Sequence, residues 1–311
     1  MRKGEYSLSK SIDVSIIIAC KNEVNTLKST VDSIISSNNF INFEIIVVDD
    51  GSSDFSTEFL TSSSNKDIYK DVVLIKTDKQ GVAGARNAGA KAAKGNYLFF
   101  CDAHVKVPAR WLDNLVNTLN YNNAHIVAPC IVNATDIDMI NTLEPAYGMT
   151  CDDKLRAIWL TNRCNKITEI PFACGCTFGI TREVFEKVNG FDHIFQVYGS
   201  EDFEICLKAW LYGYRVVVNP EVIVQHYFKS VHSYKITTSN IIFNILCLAY
   251  SHFNKKRIIK TIDIVKNDLA FSIAAKDIRS NLEIIFEQRE RYFKQRIYND
   301  DFFFDKFNIP F

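Results

Sequence analysis

The stretch GVAGARNAGAKAAKGNYLFFCDAH, Gly81–His104, decides the fold. Val82–Ala93 is rich in Ala and Gly and reads as a helix of small residues. Asn96–Cys101 reads as a strand that ends at Asp102. Toward the N-terminus the same alternation repeats. Val14–Ala19 is a β-branched apolar run of the kind expected in a buried parallel strand. Asn25–Ser36 carries Leu27, Val31, Ile34 and Ile35 at helical spacing. Glu44–Val48 is a second strand ending in Asp49-Asp50-Gly51-Ser52, a polar helix is expected from about Ser53, and Asp71–Ile75 is a third strand. The order β-α-β-α-β-α-β predicts an α/β fold, a parallel sheet with helices on both faces.

Toward the C-terminus, Trp111–Leu119 reads as a helix and Ala124–Val132 as a strand. Residues 133–170 read as loops with a strand around Trp159. Thr181–Asn189 and Glu201–Tyr212 are helices ended by Gly190 and Gly213. Phe203 and Trp210 lie on the inward stripe of the second and are expected in the core. Arg215–Val218 and Val222–Val224 read as two short strands. After Phe228 the pattern turns helical and charged, with helical spacing over Ile258–Lys266 and Leu282–Tyr298. The division expected is an α/β catalytic domain over residues 1–228 and a helical C-terminal extension over 229–311. A frayed tail is the default for a terminus. The closing FFFDKFNIPF is aromatic enough to dock instead, on the body, a second subunit, or a lipid or protein partner.

Composition narrows the classes. In 311 residues, 47% hydrophobic and 23% charged content fit a folded chain rather than a disordered one. Lys plus Arg number 36 and so do Asp plus Glu, which argues against a nucleic-acid partner but not against a phosphate ligand. Nine cysteines, an odd count at scattered positions, read as reduced thiols of a cytoplasmic protein. Cys174 and Cys176 are not spaced as a zinc knuckle. The first residues, MRKGEYSLSKSID, have no apolar core of a signal peptide. The longest apolar stretch near the C-terminus, Ile241–Tyr250, is about half of the roughly 20 residues a spanning helix needs. A soluble protein is expected, with peripheral membrane contact left open.

In open α/β sheets ligands sit at the carboxyl ends of the strands. Three polar clusters fall there: Ala19–Glu23, Asp49–Ser52 and Asp102-Ala103-His104. Asp102 and His104, two residues apart on an extended segment, can face one point, and carboxylate oxygen with imidazole suits Mn²⁺ or another divalent ion. Taken alone, the tripeptide reads first as a strand-end turn with an exposed Asp and an incidental His. Glu201-Asp202 opens a helix after Tyr198-Gly199-Ser200, where backbone N–H groups hold carboxylates ionised; helix capping alone would also explain it. Gly81, Gly84, Arg86 and Gly89 suit either close approach to an anionic ligand or tight helix–sheet packing. They do not follow the first strand, so a dinucleotide-binding fingerprint is rejected.

Four segments occur in a telling order: VSIIIACKNE (14–23), VVDDGSSD (47–54), GVAGARNAGAKAAKGNYLFFCDAH (81–104) and GCTFGITREVFEKVNGFD with YGSEDFEICLKAWLYGY (175–192 and 198–214). Together they resemble the family 2 glycosyltransferases of the GT-A (nucleotide-diphospho-sugar transferase) fold, over about residues 12–228. The later part is also similar to the polypeptide N-acetylgalactosaminyltransferases and to a galactosyltransferase C-terminal segment. The resemblance implies a metal-dependent glycosyltransferase using a UDP-sugar and Mn²⁺ or Mg²⁺. It implies that Ala19, Lys21 and Glu23 line the nucleoside pocket. One carboxylate of Asp49-Asp50, by preference Asp50, would accept the uracil N3–H. Gly81 would lie close to the donor, and Arg86 would contact the diphosphate or the metal-binding Asp. Asp102-Ala103-His104 matches the family's metal motif in its Asp-x-His form. His226, in VQHYF, stands where those relatives recruit a further His. The metal ligands implied are Asp102, His104 and His226, and no such support attaches to His125, His193, His232 or His252.

Gly175 matches a segment that in the family lies beneath the donor sugar, and Cys174 and Cys176 depart from its usual small residues. They would shape the pocket or simply pack. The inverting members use the Asp of the Glu-Asp pair as general base, so Asp202 is the implied base and Glu201 a positioning group. The retaining N-acetylgalactosaminyltransferases have Asn at this place, and the acid here favours inversion. Ala146–Pro171, with Tyr147, Trp159 and Arg163, would form the acceptor loop for a glycan, lipid-linked or peptide acceptor. A homodimer or membrane contact through the extension is a further expectation. Two other readings are a nucleotidyltransferase, which would want glycines in the loop ACKNEVN, and a non-catalytic sugar-nucleotide-binding scaffold.

Overall fold

In the computed structural model the described residues are 11–134, 145–229 and 231–311. Most of the polar N-terminal stretch and residues 135–144 of the segment read as loops lie outside them. Strand β1 (Val14–Cys20) leads through α1 (Leu27–Ile35) to β2 (Phe43–Asp49). The single turn α2 (Glu58–Thr61) precedes β3 (Val72–Lys76). Helix α3 (Gly81–Ala92) then leads into β4 (Tyr97–Asp102). These four strands pair in parallel in the order β3-β2-β1-β4. Successive side chains of a strand point to opposite faces. Accordingly Ile16 and Ile18 pack on one side with Leu27, Val31 and Trp111, and Ile17 packs on the other with Ile46, Leu98 and Phe100.

The chain continues through β5 (Val105–Lys106), α4 (Trp111–Tyr121) and β6 (Ile126–Asn133). A small hairpin pairs β7 (Met149–Cys151) with β8 (Ala157–Trp159), which is the strand expected around Trp159. Then come β9 (Thr168–Glu169), β10 (Thr177–Thr181), α5 (Arg182–Lys187), α6 (Glu201–Leu211) and β11 (Val216–His226). The main sheet runs β3-β2-β1-β4-β10-β6-β11-β5, with β9 also on β11. Strand β10 is antiparallel to both neighbours, and β11 is parallel to β6.

Three expectations need correction. The polar helix expected from Ser53 is reduced to α2. Asp54 instead accepts hydrogen bonds from Val24 N and Ser56 N, an Asx-type turn that competes with helix. The two short strands before His226 are one strand, β11, whose register shifts between Asn219 and Ile223 around Pro220. Strand β10 was not expected. It is short and holds Gly179, where a Cβ would lie 2.5 Å from Phe99 Cζ, so glycine is required for the central strand to cover that ring.

The extension consists of α7 (Thr238–His252), α8 (Lys255–Val265), α9 (Phe271–Ser280), α10 (Leu282–Gln295) and α11 (Asp300–Lys306). A capping box of Thr237 and Asn240 starts α7, and Asn254 caps α8. Helices α8, α9 and α10 pack on α7, and α11 packs on α6. The closing aromatics dock on the body of the same chain. Phe303 stacks toward Phe203 at 5.8 Å and Phe307 meets Trp210 at 5.1 Å, while Phe304 and Phe311 are buried. Phe203 and Trp210 are core residues as expected. Among the described residues no helix is long and apolar enough to cross a membrane.

Candidate functional site

Strand register assembles the site. Ala19 of β1 lies opposite Asp102 of β4, and Cys20 lies opposite Asp49 of β2, so three strand ends share one edge. Antiparallel β10 brings its amino end there, with Asp102 N donating to Cys176 O at 2.9 Å. Strand β5 pairs with β11 so that Val105 faces His226, and Tyr227 N donates to His104 O at 3.1 Å.

Asp102, His104 and His226 therefore meet, with one ligand atom from each within 4.8 Å of the others. Asp102 Oδ2 lies 3.4 Å from His226 Nε2 and 3.8 Å from His104 Nε2. Both ring nitrogens of His226 are buried without a hydrogen-bond partner. Such atoms call for a ligand or water, and one carboxylate with two imidazoles is a fitting donor set for Mn²⁺. Burial holds His226 below the usual histidine range, which favours the neutral, ligating form. Burial works against ionised Asp102, yet His226, His104 and Arg86 together hold it well below the usual carboxylate range.

Arg86 projects from α3 and is 1% exposed. It donates to Glu201 Oε1 at 3.2 Å, to Asp102 Oδ1 at 3.2 Å and to Gly175 O at 2.6 Å. Of the two contacts expected for it, the one with the Asp of the metal motif is present. Glu201 and Asp202 start α6 after Ser200, whose φ is +71°. Gly199 N donates to Glu201 Oε2 at 2.9 Å. Asp202 accepts from Gly175 N at 3.0 Å and from Phe203 N at 2.8 Å. Burial and the neighbouring Asp202 charge push Glu201 up to about 7, against the pull of Arg86. Burial raises Asp202 as well.

At the other end of the site, Asp50 accepts from Thr77 Oγ1 at 2.8 Å, Gln80 N at 2.8 Å and Gly81 N at 3.0 Å, with Lys21 Nζ at 3.9 Å. Asp49 accepts from Ser52 N at 2.8 Å and Thr57 Oγ1 at 3.2 Å. Every site residue expected from the sequence except Asp49 lines one cavity of about 590 Å³, a size suited to a small-molecule ligand. Trp159 lines it too, packed edge-on against Phe228 at 5.5 Å, whereas Tyr147 and Arg163 do not. Cys174 and Cys176 both line it. Burial raises the Cys176 thiol far above its ordinary value, which suits packing rather than nucleophilic work.

Sequence reasoning missed a strap after β11. Lys229, His232, Tyr234 and Lys235 line the cavity. Lys229 Nζ pairs with the Glu23 carboxylate and donates to Ser233 Oγ at 3.1 Å, and Asn22 Nδ2 donates to Ser233 O at 3.2 Å. Their partners lie far off in sequence, and nothing in the pattern around Lys229 marks them. The signal available was proximity to His226, three residues before Lys229.

Comparison with known proteins follows the same lines. The polypeptide N-acetylgalactosaminyltransferase 3 of Taeniopygia guttata is 29% identical over 86% of this chain and 48% of its own length. The Homo sapiens protein of that name is 30% identical over 76% of this chain and 40% of its own. The chain thus spans under half the length of these relatives. A crystal structure of GalNAc-T7 with UDP, GalNAc and Mn²⁺ superposes with a TM-score of 0.72 at 21% identity, over 96% of this chain and 57% of that one. The fold is therefore the GT-A fold expected. A model described as the N-terminal domain of galactosyltransferase matches residues 161–233. The model for glycosyl transferase family 2 matches residues 15–188, more than half of the sequence, and the chain belongs to that family.

Proposed function

We propose that this chain transfers a sugar from a UDP-sugar to a glycan, lipid-linked or peptide acceptor, in a metal-assisted single displacement with inversion at the anomeric carbon. One observation carries the reading: the Asp102–His104–His226 donor set and the Glu201–Asp202 pair face one cavity, linked by Arg86. Asp102, His104 and His226 would hold Mn²⁺, or Mg²⁺. A bound ion supplies charge neutralisation for a diphosphate leaving group.

Arg86 holds Asp102 and Glu201 in fixed orientation, since its guanidinium is engaged on three acceptors. Ala19, Lys21, Glu23 and Asp50, at the ends of β1 and β2, take the nucleoside end of the donor. Gly81 and Gly175 line the same cavity, and Asp49 holds the turn after β2 through Ser52 N and Thr57 Oγ1. Asp202 takes the proton of the acceptor nucleophile as that atom attacks, and a carboxyl raised by burial is suited to the task. Glu201 positions the sugar. Residues 1–228 carry this chemistry, and residues 229–311 brace it and supply the strap. A cytoplasmic location fits nine free thiols.

A retaining course is the second reading. Both oxygens of Asp202 already accept backbone hydrogen bonds, which constrains it as a base. The relatives named above are polypeptide N-acetylgalactosaminyltransferases, so UDP-GalNAc and a polypeptide acceptor head the trial list.

The test is a donor screen with UDP-Glc, UDP-Gal, UDP-GlcNAc, UDP-GalNAc and GDP-Man, with Mn²⁺ and with chelator. Metal-dependent turnover of a UDP-sugar, lost in His226→Ala, is expected. Asp202→Asn should cost at least about 10²-fold in kcat, the low end for a general base. Full activity of that variant removes the base assignment, and NMR of the product's anomeric proton decides between inversion and retention. Donor binding without turnover favours a scaffold, and no binding of any donor removes the glycosyltransferase reading.

A further inference from the structure

Glu23 lies behind the donor set rather than in it. Its Oε2 is 3.4 Å from His104 Nδ1, while His104 Nε2 is the nitrogen that faces Asp102. The ring thus presents one nitrogen to the cluster and the other to a carboxylate. His104 Nδ1 is buried and meets no partner in full hydrogen-bonding geometry, and the carboxylate oxygen beside it is Glu23 Oε2 at 3.4 Å. A histidine that ligates through Nε2 keeps its proton on Nδ1. The acceptor of that proton fixes the tautomer, the ring orientation and the basicity of the ligand.

Glu23 is itself held firmly. It is 7% exposed, and its backbone N–H donates to Ser56 Oγ at 2.7 Å. Thr26 Oγ1 donates to its Oε2 at 2.8 Å, and Lys229 pairs with the same carboxylate. Burial works against its charge, but His104 and Lys229 outweigh that and hold it below the usual carboxylate range.

We propose that Glu23 is a positioning residue for His104. Its carboxylate accepts a hydrogen bond from the Nδ1–H and aims Nε2 at the ion, and Lys229 of the strap shares that carboxylate. The assignment rests on the metal reading given above and concerns the Glu23 carboxylate, in addition to the place of residue 23 at the nucleoside end of the donor. It ties the loop after β1 to a ligand that follows β4, and it gives the strap a contact one step from the ion. Thr26 and Lys229 keep the carboxylate in place, so its orientation does not depend on His104 itself.

The test uses the full chain and Mn²⁺, titrated with and without UDP, with free ion followed by EPR. Glu23→Ala should weaken Mn²⁺ binding by about 10–100-fold, the usual cost of losing such a partner. Glu23→Gln, which can still accept from Nδ1 and keeps the side chain's volume, should fall between. Lys229→Met removes one of the two groups that keep the carboxylate in place and leaves the carboxylate itself, so it should weaken Mn²⁺ binding by less than Glu23→Ala does. Long-range ¹H–¹⁵N spectra of the metal-free protein supply a second readout. They should show His104 as the Nδ1-protonated tautomer in the wild type and as a mixture in Glu23→Ala.

Wild-type Mn²⁺ affinity in Glu23→Ala, with the tautomer unchanged, overturns the assignment and leaves the metal reading standing. A loss in Lys229→Met as large as in Glu23→Ala overturns it too, because the carboxylate would then act through the lysine. Absence of Mn²⁺ binding to the wild type under both conditions overturns the metal reading, and this assignment with it.

Discussion

Glu201 at the start of α6 and Asp102 at the end of β4 meet on one buried arginine, with Asp202 next to Glu201, and their protonation is unequal. Asp102 stays ionised beside Arg86 and two histidines, whereas Glu201 is pushed up to about 7 by burial and the Asp202 charge. The native state therefore binds the Glu201 proton more tightly than the unfolded chain, whose carboxyl titrates near its ordinary 4.5. The stability this group contributes is complete below 4.5 and is lost as pH rises through about 7. Glu201→Gln keeps an acceptor for Arg86 and does not titrate. Urea unfolding should show the wild type losing stability relative to Glu201→Gln across that window; parallel stability curves would contradict the shifted carboxyl. At this scale the sequence was legible where chemistry is local. Asp102 and His104 sit two residues apart, and Glu201 and Asp202 are neighbours at a helix start. Arg86 was legible as a residue but not as a bridge, because its partners lie 16 and 115 positions away. Glu23 and Lys229, 206 positions apart, left no local trace of their pairing.

The elements that read clearly were those whose pattern is driven by burial on a fixed period. Strands β1, β2 and β4 are buried on both faces and show as unbroken apolar runs. Strand β10 did not show, because a five-residue strand with a central glycine has neither length nor alternation. Helix α3 was legible as a helix, while the purpose of its glycines was left between ligand approach and packing. Gly89 falls on the packing side. A Cβ there would lie 2.4 Å from Ile17 Cγ2 and 3.1 Å from Val48 Cγ2, both on the sheet beneath. Helix propensity alone favours Ala over Gly by about 1 kcal/mol. Overpacking a rigid core costs about 1–3 kcal/mol and here outweighs it. Gly89→Ala should therefore destabilise the protein, read as a lower urea midpoint at unchanged m-value. A stabilised variant would mean that the helix can lift off the sheet, and Arg86, one turn earlier, would then be less firmly held than its three contacts imply.

Over the whole molecule, the extension and the α/β body share a core. One cluster of buried side chains runs from Ile17 and Phe100 on the sheet, through Phe203 and Ile205 of α6, to Phe243 of α7 and Phe303 of α11. Helix α6, which carries Glu201 and Asp202, is consequently buried along almost its full length. A polar tie reinforces the joint: Glu204 Oε1 lies 2.9 Å from Lys208 Nζ and 3.0 Å from His252 Nε2 of α7, all essentially without exposure. Breaking such a buried set leaves an uncompensated charge and is strongly destabilising, so α6 cannot part from α7 cheaply. A division near residue 228 then marks where the sheet ends, not where cooperativity ends. Phe303→Ala tests this, because Phe303 touches Phe203 from outside the sheet. Truncating a buried Phe costs about 3–5 kcal/mol. If body and extension open as one unit, the slowest-exchanging amides of β1 and of α7 should lose protection by the same amount in this variant. Loss confined to α7 and α11, with β1 at its wild-type value, would instead make the extension a separate cooperative unit. Helix α6 would then owe its placement to the sheet alone.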